Sequence, residues 1–437
     1  MEKSRWNKMI VDSLKNAWKL PEIRTKIGFT LLMFLIFRIG AHIPIPFINH
    51  DILSNILGSG TLYDFLDTFS GGSFRRFSVF ALSITPYITA SIILQLLTIV
   101  IPSLERLAKE GEFGRKKITQ YTRYGTVILG FIQGFGMTFG LRGALIIPKP
   151  GMEWAIYLLV ALILTAGTAF LMWLGERITE NGIGNGISLI IFAGIVAGVP
   201  DAIKRIAGLL SVGEINVFSV FGLIVIGLGI IAGVVFIQEG QRRIQVQYAK
   251  RVVGRRVYGG QSSHIPMKVN QAGVIPIIFA ISLLAFPSTI ATWMDPTSAY
   301  VRFVNTWFVM NGSLTSIPYL IVYAVLIIFF TYFYTAVSFN PVDVADNLKK
   351  YGGFIPGLRP GRATSDYLSK ILSRLTLAGG TFLAMIAVLP SLVIGLTGIP
   401  NITLGGTSLL IVVSVALETM KQLESMLMQR HYQGFMK

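Results

Sequence analysis

The chain is predicted to be an all-α polytopic membrane protein, with ten transmembrane helices in two five-helix halves of inverted topology. Three observations predict this. Of its 437 residues, 53% are hydrophobic and only 14% charged, whereas soluble domains carry roughly a quarter charged residues. Ten apolar runs have about the length that a bilayer demands. The basic residues segregate sharply between alternate connections.

The predicted spans are 26–43, 77–101, 122–139, 154–174, 183–199, 217–237, 272–293, 315–337, 375–396 and 404–423. With the amino terminus in the cytoplasm, cytoplasmic segments hold 30 of the 38 Lys and Arg. External segments hold 7: Arg75, Arg76, Arg142, Lys149, Lys204, Arg205 and Arg302. That bias places both termini inside. The polar start M-E-K-S-R-W-N-K leads into no cleavable signal pattern, so the first span is expected to be retained. An odd number of spans per half inverts the second half relative to the first, the plan of many membrane transport proteins. The halves are read as residues 1–200 and 201–437, with cytoplasmic loops at 238–271 and 340–374.

One stretch does not fit a plain span. Leu62, Phe65, Leu66 and Phe69 fall at i, i+3, i+4 and i+7, on one helical face. A helix over 61–69 reaches only about 13–14 Å, under half of a roughly 30 Å hydrocarbon core. Ser70-Gly71-Gly72-Ser73 then breaks it, before Arg75-Arg76 and a full-length apolar run. A half-length helix hinged by glycines onto a span reads as a re-entrant element, tolerated only inside protein or beside water.

Chemistry-bearing motifs are absent. No cysteine is present, so thiol catalysis, disulfides and Cys-ligated metal are excluded. His42, His50, His264 and His431 are scattered, and there is no H-E-x-x-H motif or P-loop. No Asp or Glu lies mid-span, which counts against an ion-coupled carrier. The expectation is a protein without enzymatic activity, metal or cofactor, driven by energy from elsewhere. Arg38 is the one charge deep in a span; it is expected to snorkel, to meet helix-end carbonyls or to line a pathway. Glycine-rich stretches at 183–199 and 222–233 are expected to serve close helix packing.

The two long cytoplasmic loops are too basic to be mere connectors. Alternation over Arg243-Ile244-Gln245-Val246-Gln247-Tyr248 predicts a strand, with 252–258 as a returning hairpin arm. Pro356-Gly357 and Pro360-Gly361 bracket Leu358-Arg359, so a rigid turn should hold Arg359 outward. Such fixed arginines suit docking to an acidic partner or RNA phosphate. Within the spans, Ile84 and Ile88 share a face, as do Ile187 and Ile191, while Ile278 and Ile411 lie in the other half. By position alone these are ordinary apolar packing. Thr89, Ser91, Gln95 and Asn185 are polar, suited to interhelical hydrogen bonds or a wet lining. Three readings compete: a polypeptide channel, a small-solute secondary transporter on an inverted repeat, and a scaffold or insertase without a pore.

The motifs R-I-G-A-H-I-P-I-P, S-I-T-P-Y-I-T-A-S-I-I-L-Q-L-L-T, E-G-E-F-G-R-K-K-I-T-Q-Y-T-R-Y-G-T, L-M-W-L-G-E-R-I-T-E-N-G-I-G-N-G-I-S, P-M-K-V-N-Q-A-G-V-I-P and F-I-P-G-L-R-P-G resemble the bacterial SecY family, in order along nearly the whole chain. The resemblance implies a central pore that conducts unfolded secretory chains across the bacterial cytoplasmic membrane and releases hydrophobic segments sideways into lipid. It assigns Ile84, Ile88, Ile187, Ile191, Ile278 and Ile411 to a pore ring. It assigns 61–72, with Leu62, Phe65, Leu66, Phe69, Gly71 and Gly72, to a plug helix. The second and third spans facing the seventh and eighth become a lateral gate, with Thr89, Gln95, Asn185 and Ser282 as its polar candidates. Arg242, Arg243, Lys250, Arg251, Arg255, Arg256 and Arg359 become partner-binding residues. The implied partners are SecE and SecG subunits, the motor ATPase SecA, the ribosome through rRNA contacts, signal peptides with nascent chains, and membrane lipids. Energy is implied to come from the motor, the ribosome or the proton-motive force.

Overall fold

The structure, a computed structural model, describes residues 20–49, 52–53, 67, 70–147, 151–213, 216–248, 251–253, 256–258, 262–291, 294, 298–308, 317–397 and 406–434. Each of the ten predicted spans coincides with one helix. The first half contains α1 (Pro21–Gly40), α2 (Thr85–Val100), the short α3 (Pro102–Lys109), α4 (Glu112–Gly140), α5 (Glu153–Asn181) and α6 (Gly186–Val212). The second contains α7 (Val217–Glu239), α8 (Ile275–Ala291), α9 (Ala299–Trp307), α10 (Ile317–Ser338), α11 (Pro341–Lys350), α12 (Arg362–Thr397) and α13 (Gly406–Gly434). Local chemistry sets several boundaries. Proline begins α1, α3 and α11, where its missing N–H costs nothing. Left-handed Gly213 (φ 78°) closes α6, so the chain passes between the halves just beyond it.

The second span starts later than its hydropathy suggests. Residues 77–84 are turns, with positive φ at Phe77 (44°) and Ser83 (53°), and the helix proper begins at Thr85. An apolar run cannot report such turns, because burial and not helicity is what it records. After α2 the chain bends by 101° into α3, which carries its charges outward. There Lys109 Nζ lies 2.7 Å from Glu105 Oε1, and this hydrogen bond holds the carboxyl below and the ammonium above their ordinary ranges.

Each half is a bundle. In the first, α4 packs along α5 and α2, α5 packs on α6, and α1 covers α5 and α6. In the second, α10 packs along α12 and α8, and α13 along α7 and α12. The halves meet along two seams, one where α8 touches α2 and α4, the other where α13 touches α6. Small residues bring some helices to backbone distance. A Cβ on Gly186 would lie 1.9 Å from the Gly175 carbonyl oxygen. The glycines of α7 behave differently: Gly222, Gly227 and Gly229 face open space, and only Gly233 is approached, by the Phe382 ring. The packing expected of 183–199 therefore holds at Gly186, whereas that of 222–233 holds at one residue.

The long loops build a small sheet in the order β4-β1-β5, from β1 (Gln241–Tyr248), β4 (Ser262–Lys268) and β5 (Gly353–Phe354). The predicted strand is β1, with Ile244 opposite Ile265 and Gln247 opposite Phe354. The predicted return arm is corrected. Residues 252–258 fall within a separate hairpin of β2 (Arg251–Val253) and β3 (Arg256–Tyr258), and β4 is what pairs with β1. Its buried face, Ile244, Val246 and Met267, packs on Leu348, Leu368 and Ile371 of α11 and α12. Two loops over a hundred residues apart in the chain are thus one rigid unit.

Candidate functional site

The centre of the molecule is apolar. Ile84, Ile88, Ile187, Ile191, Ile278 and Ile411 all belong to one contiguous hydrophobic cluster to which both halves contribute. Ile84 (1% exposed) is the N-cap of α2, Ile191 (2%) lies on α6 and Ile411 (0%) on α13. Ile88 and Ile278 are half-buried on α2 and α8. Residues more than three hundred positions apart are gathered because the α2–α8 and α6–α13 seams close on the same axis. Within that cluster Ile187 also reaches α5. A Cβ on Gly175 would lie 2.6 Å from its Cδ1, so its terminal methyl covers α5 of its own half.

Of the polar span residues, Thr89 and Gln95 are half-buried on α2, and Ser282 is buried on α8. The Thr89 hydroxyl donates to the Thr85 carbonyl at 3.1 Å, a bond within its own helix. Asn185 has a different task. It is the N-cap of α6, its Oδ1 accepting from the Ile187 N–H at 3.1 Å and the Ser188 N–H at 3.2 Å. Its helix packs on α5, α1 and α13. Polarity alone had grouped Asn185 with the gate candidates, whereas N-G-I-S at the start of an apolar run has the form of a cap.

Of the predicted plug, Leu62, Phe65, Leu66 and Phe69 lie outside the described residues. Its end is described. Asp67 and Ser70 are helical, Gly71 is left-handed (φ 67°), and the Gly72 N–H donates back to the Asp67 carbonyl at 3.0 Å. That six-to-one bond around a left-handed glycine is a Schellman helix end. Beyond it the chain is locked down, with Ser73 fully buried and Phe74 and Phe77 fully buried in a second apolar cluster against α5. The guanidinium of Arg38 meets this helix end, Nη1 donating to the Gly71 carbonyl at 3.0 Å. Of the three expectations for Arg38, contact with a helix-end carbonyl is the one observed.

Among the basic loop residues, Arg242 and Arg243 are exposed on β1. Arg359 projects from the turn after β5, held by Gly357 (φ 82°), Gly361 (φ 104°) and a bond of 3.0 Å from the Thr364 hydroxyl to the Arg359 carbonyl. Arg251 and Arg256 lie on the β2–β3 hairpin, whereas Lys250 and Arg255 lie outside the described residues. Sequence reasoning missed the bidentate pair of Arg123 on α4 with Glu176 on α5, at 2.9 Å for both contacts.

Comparison with known proteins gives a consistent picture. The SecY family model matches residues 78–420. The protein translocase subunit SecY of Halalkalibacterium halodurans is 50% identical over 434 residues, covering 97% of this chain and 99% of that one. Two solved structures share the fold at 20% sequence identity, each covering 94% of this chain and 96% of the other. One is of a SecY protein whose plug domain stabilises the closed state of the translocation channel and maintains a membrane seal, with a TM-score of 0.65. The other is Sec61 in the canine ribosome–channel complex from the endoplasmic reticulum, with a TM-score of 0.62.

Proposed function

The chain belongs to the SecY family and is a protein-translocation channel of the membrane, and from that premise we propose how its parts divide the work. The constriction is formed by Ile84, Ile88, Ile191, Ile278 and Ile411. The observation that carries this reading is that these five isoleucines, drawn from four helices of both halves, share one apolar cluster at the junction. Such a ring offers nothing to stabilise a permeating ion and disfavours water by dewetting, while flexible branched side chains can close around a passing polypeptide. Ile187 packs on the same cluster, and because its methyl lies against Gly175 it is assigned to covering α5 rather than to the ring. The segment 61–72 is the plug, and the SecY structure with a sealing plug domain supports that role.

The lateral gate is the α2–α8 seam with α4 and α10 beside it, and Thr89, Gln95 and Ser282 lie on its helices. Release through it is a partition. An apolar residue gains about 0.3–0.6 kcal/mol at a helix centre, whereas a charged residue costs about 2.5–3.5 kcal/mol. Both termini face the cytoplasm of a bacterial cell, and the halves divide beyond α6, which runs past the boundary expected at residue 200 to Val212. The sheet-braced basic tips, with Arg242, Arg243, Arg251, Arg256 and Arg359, receive the ribosome or the SecA motor, which with the proton-motive force supplies the energy. SecE and SecG complete the assembly. The ribosome-bound Sec61 structure of the same fold supports a ribosome site.

The test is a secretory chain stalled in transit, with a photo-cross-linker at position 84 or 191. Adducts to the stalled chain are expected at both positions. Their absence at both would remove the pathway from this cluster. A second arm replaces Arg359 with Glu, which should impair export while the protein still folds and inserts; normal export would withdraw the docking assignment.

A further inference from the structure

The mechanism above uses Arg38 for nothing, yet it is a charge within the first span and is wired into its surroundings. Its Nη1 donates to the Gly71 carbonyl at 3.0 Å, at the end of the segment read as the plug. Gly71 rests on α6 at backbone contact: a Cβ there would lie 3.0 Å from the Gly194 Cα and 3.2 Å from the Gly194 carbonyl oxygen. Three elements therefore meet at one point, α1 through Arg38, α6 through Gly194 and the plug end through Gly71.

Two further contacts extend the joint. The Arg38 carbonyl lies 2.8 Å from His42 Nδ1. A carbonyl only accepts, so Nδ1 carries the proton and Nε2 is free to accept. Nε2 is indeed met by Nη1 of Arg76, on the far side of the glycines. Asp67 closes the other side, its Oδ1 accepting from the Arg75 N–H at 2.8 Å. Around Arg38 itself, Asp201 of α6 supplies an attractive charge and Arg76 a repulsive one.

We propose that Arg38 is a positioning residue that latches the plug's glycine end to α6, and that this latch sets the resting seal of the channel. A guanidinium suits the task for a physical reason. The last carbonyls of a helix carry partial negative charge and have no partner of their own, so a cation there is bound by both dipole and hydrogen bond. Gly71 and Gly194 permit the approach. The fully buried Ser73, Phe74 and Phe77 anchor the chain downstream of the latch.

The inference rests on the plug reading, and the experiment separates the two. The chain lacks cysteine, so Ser70→Cys, on the plug side of Gly71, gives a single, buried reporter thiol. In the full-length channel reconstituted in vesicles, Arg38→Met should label at that thiol about tenfold faster or more, the factor implied by losing one charge-assisted hydrogen bond. It should also raise resting ion conductance, while Arg38→Lys recovers part of both. Should Arg38→Met fail to fold, Gly71→Ala attacks the same joint from the other side and should give the same two signs. Labelling and conductance unchanged in either folded variant would overturn the latch. Deletion of 61–69 is the second arm. A leak on deletion with a tight Arg38→Met channel sinks the latch alone; no leak on deletion sinks the plug reading and the latch together.

Discussion

Ile187 and Ile191 show how little residue type says about task. Both are isoleucines on α6, one helical turn apart, and both belong to the central cluster, but Ile191 is buried there while Ile187 is only partly buried, with its methyl against Gly175. Ile191→Asn should therefore raise resting conductance, because a polar group in a dewetted ring invites water. Ile187→Asn should instead lower the unfolding temperature, with little change in conductance. Paired conductance and thermal-unfolding measurements decide between them, and reversed outcomes would reassign the two residues. Asn185 makes a similar point. Replacing it with Ala removes two capping bonds and should cost about 0.5–2 kcal/mol of stability, read by thermal unfolding. A conductance change without a stability change would return it to the pathway. None of these distinctions was legible beforehand, because spacing places a residue on a helix face but does not say which neighbour occupies that face.

The helices themselves were legible, since an apolar run of bilayer length has few other folded forms. Their ends were less so. The turns at 77–84 are as apolar as the helix that follows, and only the positive φ values at Phe77 and Ser83 mark them. Glycines were the least legible feature. Gly186 and Gly227 both sit in apolar runs, but one meets the α5 backbone and the other meets nothing within 4 Å. Gly186→Ala should consequently abolish or sharply reduce accumulation of folded protein, since the Gly175 carbonyl is main chain and cannot step aside. Gly227→Ala should be neutral. Expression and thermal unfolding of the two variants check the contrast, and equal tolerance would refute the α5–α6 contact.

The two halves touch along seams of different character. At one, α8 meets α2 and α4; at the other, α13 meets α6 and continues into an apolar cluster of Ile23 and Ile183 with Leu423 and Met426. Within the second half, α13 is also tied to α7 by Lys421, whose ammonium lies 2.7 Å from Glu239. If the first seam is the gate and the second the hinge, a cysteine pair joining α2 to α8 should block lateral release when oxidised. A pair joining α6 to α13 should leave export near normal. Export and membrane insertion assays before and after reduction read both, and a block from the α6–α13 pair alone would exchange the two assignments.

The membrane environment and the number of spans were legible along the chain, which carries none of the common catalytic motifs. Each of these depends on composition or on patterns along a single helix, such as the ten apolar runs, the 30-to-7 distribution of basic residues and the missing mid-span carboxylates. The resemblance of its motifs then led to the family. Contacts between distant segments came from the folded chain. It joined Ile84 to Ile411 in one cluster, and bound the two basic loops through β1 and β5. It also brought Arg38 to Gly71. The physical reason is common to all three: a bilayer imposes the same one-dimensional requirement on every span, so hydropathy cannot encode which spans meet. That choice is made by side-chain shape and by the few polar groups that must find partners away from water.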